Sequence, residues 1–246
     1  MGTIMRGRLL VGALVVTALL AAVAGACGGG GDEEATQATV APSPGATGAP
    51  TATPSAVEQQ LQSMVLQLSD VPDGFSQAQE SFSTNQDVAG EGEDAAEVLA
   101  RLTEWGRVLG HGVVYSADDT DATGVLLVDS TVSLYQSDVG AAASFADAVT
   151  TARTTDWAAT VGEAADVQVE EVPPLDVGDE MLWMRITGTA AIGDPAAEQP
   201  FIQDVVLLRV GPVRGSVSTV SAAADAAVLV EGMVRTQAAN MAAGLQ

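Results

Sequence analysis

The chain is 246 residues long and strongly acidic: 32 aspartates and glutamates stand against nine basic residues, all arginine, for a formal charge of −23. That balance argues against a nucleic-acid partner, whose phosphates need a basic footprint, and against electrostatic binding to anionic lipid headgroups. Acidity of this degree serves solubility, with a calcium-rich or salty exterior as the weaker reading.

Arg6 and Arg8 precede an uncharged apolar run from Leu9 to Val23, which gives way to Ala24-Gly25-Ala26 and then Cys27, the only cysteine. The run falls short of the roughly 20 apolar residues of a membrane span and has the layout of an export signal. Arg6 occupies the position where N-myristoylation requires Ser or Thr. Apolar run, small residues and cysteine together resemble the lipobox of bacterial lipoproteins. In that family the cysteine thiol receives a diacylglycerol (typically palmitate-bearing), the signal is cut before the cysteine, and the new amino terminus is often acylated. Two or three chains make a stable anchor where one binds marginally. The family usually has Leu or Val where this chain has Ala24. The alternative is an ordinary secretory signal cut near Ala26, leaving a free amino-terminal cysteine.

The chain thus divides into a signal peptide at 1–26, a lipid-anchored Cys27 with a tether at 27–54, and one globular domain at 55–246. The expected location is extracytoplasmic, at the cell membrane through the lipid. Without the signal, seven arginines face all 32 carboxylates, a formal charge of −25. With its one cysteine at the anchor, the domain has no intramolecular disulfide. Its core alone must hold it, and about 190 residues suffice to bury roughly 70% of the unfolded surface. From Gly28 to Pro54 the chain reads GGGGDEEATQATVAPSPGATGAPTATP. It holds too little apolar surface to offset the entropy of ordering. As a coil of about 27 residues it spaces the domain roughly 30 Å from the membrane. The Thr/Ser/Pro content suits O-linked sugars, and an unmodified spacer is the other reading.

Ser55-Ala-Val-Glu58 is a capping box, and Val57, Leu61, Met64, Val65 and Leu68 then share one helical face. Val71-Pro72-Asp73-Gly74 stops that helix, and 75–82 reads as a first strand. Asp94 to Glu97 repeats the capping pattern; Ala95, Val98, Leu99, Leu102, Trp105 and Leu109 form the next apolar face, with Gly110 as the residue just past the helix end. Strands follow at 112–116 and 124–136, joined by a polar loop at 117–123. Leu126, Val128, Val132 and Leu134 share a face, and Tyr115 and Tyr135 are candidate cross-strand neighbours. Ser137-Asp138 opens a third helix with Val139, Ala142, Phe145, Ala146 and Val149 inward. Segments 166–172, 180–190 and 201–210 read as strands, broken by Pro173-Pro174 and Gly193-Asp194-Pro195. The near-continuous apolar run at 201–210 marks an interior strand. Gly211 to Gly215 turns, 216–221 pairs back, and a last helix at 222–243 places Ala226, Leu229, Val230, Met233, Val234 and Met241 inward before Gly244.

Many hairpin-length links and few crossovers make this an α+β fold, an antiparallel β-sheet of about six or seven strands with helices mainly on one face. The segments LSDVPDGF, EWGRVLGH, SLYQSDVGAAASFADAV, LDVGDEMLWMRI and LLRVGPVRGSVSTV resemble a class of exported bacterial lipoproteins. The domains of that class are related to PsbP-like folds and to the extracellular sensor domains of mycobacterial receptor kinases. The resemblance spans about 58–245 and implies binding or scaffolding rather than catalysis. It supplies no catalytic residue. Sensor domains of that type usually carry disulfides, which this chain lacks.

Candidate chemistry is sparse. The single His111 lacks partners for a metal cluster, and no Gly-x-Ser-x-Gly accompanies it; it reads as a solvated loop histidine near a helix C-terminus. Asp118, Asp119 and Asp121 form a weak calcium candidate: an EF-hand reading from Asp119 puts Ser130 where the bidentate Glu belongs. Glu170-Glu171 and Asp179-Glu180 are adjacent carboxylates, which on a strand point to opposite faces and so suit no glycosidase pair. No cofactor motif is present. Trp157, Met181, Trp183 and Arg185 are the candidate ligand or partner contacts. The last three alternate on one strand face and make an exposed patch if no helix covers it. The reading is a non-enzymatic binding or sensing module, with a structural or assembly accessory of an envelope complex as the alternative and an extracytoplasmic hydrolase as a distant third. Its expected partners are the membrane through the lipid and a small molecule, lipid or protein at the envelope.

Overall fold

The computed structural model describes residues 55–90, 94–117, 124–162, 164–192, 197–222 and 227–246. The signal, Cys27, the tether, the Asp118/Asp119/Asp121 loop, the 193–195 turn and Ala226 lie outside them. Among the described residues no helix is long and apolar enough to cross a membrane.

Helix α1 (Ala56–Met64) starts as its sequence dictates. The Glu58 amide donates to Ser55 Oγ, and the Ser55 amide donates back to the Glu58 carboxylate. Leu61, Met64, Val65 and Leu66 are buried. Leu68, expected inward, is 51% exposed, because the helix stops at Met64 and Leu68 opens a separate 3₁₀ turn (Leu68–Asp70). Strand β1 (Phe75–Ser83) is followed by a short helix α2 (Asn85–Ala89), capped by Thr84, that the apolar pattern did not disclose. Helix α3 (Ala95–Glu104) ends earlier than expected: Gly106, at φ +68°, takes the left-handed position assigned to Gly110. Gly110 and Leu109 instead lie inside strand β2 (Arg107–Ala117).

Strand β3 (Val125–Tyr135), helix α4 (Asp138–Thr154) and a single turn α5 (Trp157–Thr160) come next. Then follow β4 (Ala165–Val172), β5 (Glu180–Ile192), β6 (Ala197–Val210), β7 (Val213–Ser221) and helix α6 (Ala227–Gly244). The seven strands form one antiparallel sheet in the order β1-β2-β3-β7-β6-β5-β4. Strand β6 is interior, between β5 and β7, as its apolar run requires. Tyr115 and Tyr135 are not neighbours: Tyr115 pairs with Val128 and Tyr135 with Arg107. Their hydroxyls serve opposite faces, bonding Leu66 O and Ser144 Oγ respectively.

The helices, expected mainly on one face, divide between the two. Helices α1 and α6 cover one face, with Leu61, Met64, Val113, Tyr115, Val128, Val132, Val206, Leu208, Val217, Val234 and Met241 in a common core. Gln237 of α6, fully buried, fixes the helix to β3 by accepting from Ser130 Oγ at 2.7 Å and donating to Thr131 O at 2.9 Å. Helices α4 and α5 cover the far half of the opposite face, where Phe145 and Trp157 join Leu182, Met184, Ile186, Phe201 and Val205. The cause is the sequence of β5 and β6, which is apolar on both faces and needs cover on both. Helix α4 buries Gly140, Ala141, Ser144, Phe145, Ala148 and Ala152, while Val139 is 80% exposed and Ala146 faces solvent. An alanine-rich helix is apolar on every side, so periodicity did not fix its inner face. Close approach did: a Cβ at Gly140 would sit 1.9 Å from Trp105 O.

Val206→Ala tests the placement of β6. Val206 has no exposure. The lost methyl groups and the cavity left should lower stability by about 1–4 kcal/mol in urea denaturation, against almost nothing for a surface valine.

Candidate functional site

Small polar residues on one face of the near half-sheet create the site. Strand alternation sends Ser81 and Ser83 of β1, Gly110 and Gly112 of β2, Asp129, Thr131 and Ser133 of β3, and Arg214, Ser216 and Ser218 of β7 to the face opposite α1 and α6. Register aligns them in cross-sheet rows: Ser83–Gly110–Ser133–Arg214, then Ser81–Gly112–Thr131–Ser216, then Gln79–Val114–Asp129–Ser218. Side chains this short cannot fill the space between sheet and helices. They leave a cavity of about 290 Å³, walled by Val88 and Leu102 on α2 and α3, Ala148 on α4, and Gln203, Val205 and Leu207 on β6.

Two arginines mark one end. Seven arginines are described. Five form ion pairs: Arg101 with Asp147, Arg153 with Glu171, Arg185 with Asp204, Arg209 with Asp179 and Glu180, and Arg235 with Glu231. Arg107 and Arg214 have no carboxylate within ion-pair distance among the described residues, and both line the cavity. Arg107, 7% exposed, is held by neutral acceptors: Nε donates to Ser133 Oγ at 3.2 Å, Nη1 to Ser83 O and Asn85 Oδ1, and Nη2 to Ser83 Oγ at 2.8 Å. Gly110 makes the room, since a Cβ there would lie 2.1 Å from Arg107 Nη2. Burial, reinforced by the Arg214 charge, pulls the Arg107 guanidinium down to about 10, which leaves it charged at neutral pH. Arg214 donates through Nη1 alone, to Ser144 O at 3.2 Å and Ser144 Oγ at 2.8 Å. Its Nε and Nη2 have no acceptor among the described residues. Ser144 is itself fixed by Tyr135, hydroxyl to hydroxyl at 2.6 Å.

The other end is acidic. Asp129 is 8% exposed, and burial lifts its carboxyl to about 6. No hydrogen bond or ion pair to it is found among the described residues. Gln203, 1% exposed, lines the same cavity, and its Nε2 has no partner among the described residues. Native interiors rarely leave such groups unsatisfied, and each exception calls for an explanation. Asp129 and Ser133 are four positions apart, so the two ends lie about 13 Å apart along the strand.

The residues singled out from sequence fall elsewhere. Trp183 is 4% exposed, and its Nε1 donates to the buried Asp204 carboxylate at 2.7 Å. Arg185 grips the same carboxylate and stands 5.8 Å from the Trp183 ring centroid. Met181 is partly buried against the same core, and its sulfur accepts from the Leu175 amide. The exposed Met181–Trp183–Arg185 patch therefore does not form: apolar burial covers that face. Trp157 is 6% exposed, with Nε1 donating to Ala152 O at 2.9 Å, so it plugs the α4–α5 core. Trp105 is partly buried beside α3, 5.5 Å from the Arg101 guanidinium.

His111 is not a solvated loop residue. It sits inside β2, 3% exposed, on the α1/α6 face and so behind the cleft floor. Nε2 meets Glu80 Oε1 at 3.1 Å, the ring lies 4.5 Å from that of Phe82, and Nδ1 has no partner among the described residues, so none of their serines joins the pair. Burial pushes the imidazole below its ordinary pKa, against the pull of Glu80. Glu171 and the Asp179/Glu180 pair face arginines at the surface. Among the described residues no three His, Cys, Asp or Glu side chains stand close enough to share a metal.

No family model matches the chain, and no curated protein matches it. Among solved structures, the crystal structure of the extracellular domain of PknH from Mycobacterium tuberculosis is weakly similar, with a TM-score of 0.44 and 13% identity, over 78% of this chain and 98% of that one.

Proposed function

We propose that this chain is a non-enzymatic binding or sensing module of the cell envelope, anchored by lipid on Cys27, which takes a small ligand in the cleft between the sheet and helices α3 and α4. What carries the reading is the cavity of about 290 Å³ with buried polar groups on its walls that no described residue satisfies. A concave site with a few convergent polar groups is the usual form of a small-molecule site, and this volume is at the small end of the range. The single cysteine after an apolar run supports the envelope location.

The test is ligand-observed NMR of a small-fragment library against the full chain, with Ser216→Trp as a variant whose floor is filled. Fragments that bind the wild type and lose binding to Ser216→Trp support the reading. Fragments that bind both equally, or a library without a hit, contradict it. The anchor is tested separately. Cys27→Ala should abolish lipid labelling and release the protein or leave its signal uncut; membrane retention at the wild-type level would defeat the lipoprotein assignment.

A further inference from the structure

The geometry points to the chemical class of the ligand: a small organic anion whose carboxylate or phosphate is held by Arg214 and Arg107 and whose far end donates a hydrogen bond to Asp129. This rests on the cleft being a binding site. The chain has far more carboxylates than arginines, so an arginine without one is the exception. The two exceptions among the described residues share one end of one cavity. Arg107 is locked to Ser83, Asn85 and Ser133 by neutral acceptors, which fix its position, and among the described residues no carboxylate comes within ion-pair distance of it; Asp87 acts on its charge only from farther off. Asp87, a carboxylate at that end of the cavity, is engaged by the amide and hydroxyl of Thr84. Arg214 is braced on Ser144 through one nitrogen, and the two free nitrogens of its fork match the oxygens of a carboxylate or phosphate.

The opposite end asks for the complement. Asp129 supplies acceptor oxygens that no donor among the described residues meets, so a hydroxyl or ammonium group on the ligand satisfies it. Between the ends run the Thr131–Ser216 row, closed on itself by a 2.6 Å hydroxyl contact, and the apolar wall of Val205 and Leu207. That stretch suits a short aliphatic body. A bipolar molecule is thus selected over a plain anion by one added charge-assisted contact, worth about tenfold in affinity.

The experiment is calorimetric titration of the full chain at pH 7.5 with inorganic phosphate, hexanoate and 6-aminohexanoate. Binding of 6-aminohexanoate about tenfold tighter than hexanoate is expected. Arg214→Gln should weaken every anion that binds at least tenfold, and Asp129→Asn should bring the two organic acids to equal affinity. Ser216→Asp, which sets a carboxylate two residues from Arg214 on the same face, is a second variant and should weaken them as Arg214→Gln does. Tighter binding of phosphate than of hexanoate assigns the anionic group as phosphate, the reverse as carboxylate. Absence of binding by all three probes, or binding that neither Arg214→Gln nor Ser216→Asp changes, overturns the inference. If neutral fragments still bind the wild type and not Ser216→Trp, the cleft remains a site and only its anion chemistry falls.

Discussion

Trp183→Ala should lower the unfolding free energy of the full chain by about 3–5 kcal/mol in urea denaturation. Two effects act together. The indole leaves a large void in the core shared with Val206 and Leu208. Its Nε1 also leaves Asp204, which is 1% exposed and then keeps only Arg185 as a side-chain partner among the described residues. Trp183→Phe separates the two, since it refills most of the volume and restores no hydrogen bond. It should recover more than half of the loss. A change within about 0.5 kcal/mol for Trp183→Ala would mean an exposed side chain and would return the Met181–Trp183–Arg185 face to candidacy as a contact surface.

Asp129→Asn should act in the opposite direction and stabilise the protein by about 3 kcal/mol at pH 7.5. The carboxyl titrates at about 6 in the fold against an ordinary value of 3.8. The folded state therefore binds the proton more tightly than the unfolded chain does. Its favourable contribution is complete below about 3.8 and is lost as pH rises through about 6; above that, the fold carries an ionised group that burial disfavours. Asn keeps the shape and removes the charge. Urea midpoints at pH 3.5 and 7.5 should differ between wild type and variant only at the higher pH. The other charged groups on the cleft, Arg107, Arg214 and Asp87, are common to both proteins and cancel in the comparison. A variant less stable than wild type at pH 7.5 would mean that Asp129 has a native partner. A stabilising substitution at a buried carboxylate is the mark of a residue kept for binding rather than for folding.

Much of the architecture was legible because local rules determine it. The Ser55/Glu58 capping box, the Ser137 cap and the interior run of β6 each fix an element from adjacent residues. The failures fall where contacts distant in sequence decide. Gly110 reads as a helix stop, but the chain turns at Gly106, and which glycine ends the helix depends on the pairing of β2 with β3. Val139 and Ala146 fail as core positions because α4 has no polar stripe to orient it. The site was less visible still. Asp129-x-Thr131-x-Ser133 and Arg214-x-Ser216-x-Ser218 are polar alternations that any solvated strand face carries. What makes them a cleft is non-local: the helices placed over them, and carboxylates within reach of every other described arginine but not of Arg107 and Arg214. The tryptophans drew attention for the opposite reason, since a large aromatic with a polar handle suits a core with an internal acceptor as well as it suits an interface.

Amide chemical-shift mapping of the full chain titrated with 6-aminohexanoate at pH 7.5 tests the central claim most directly, because it reports where the ligand sits. The expected result is a set of perturbed amides that follows the cross-sheet rows, at Ser81, Gly112, Asp129, Thr131, Arg214 and Ser216. Perturbations centred on the far side of the sheet, around Glu80 and His111, or spread without a centre, would contradict it.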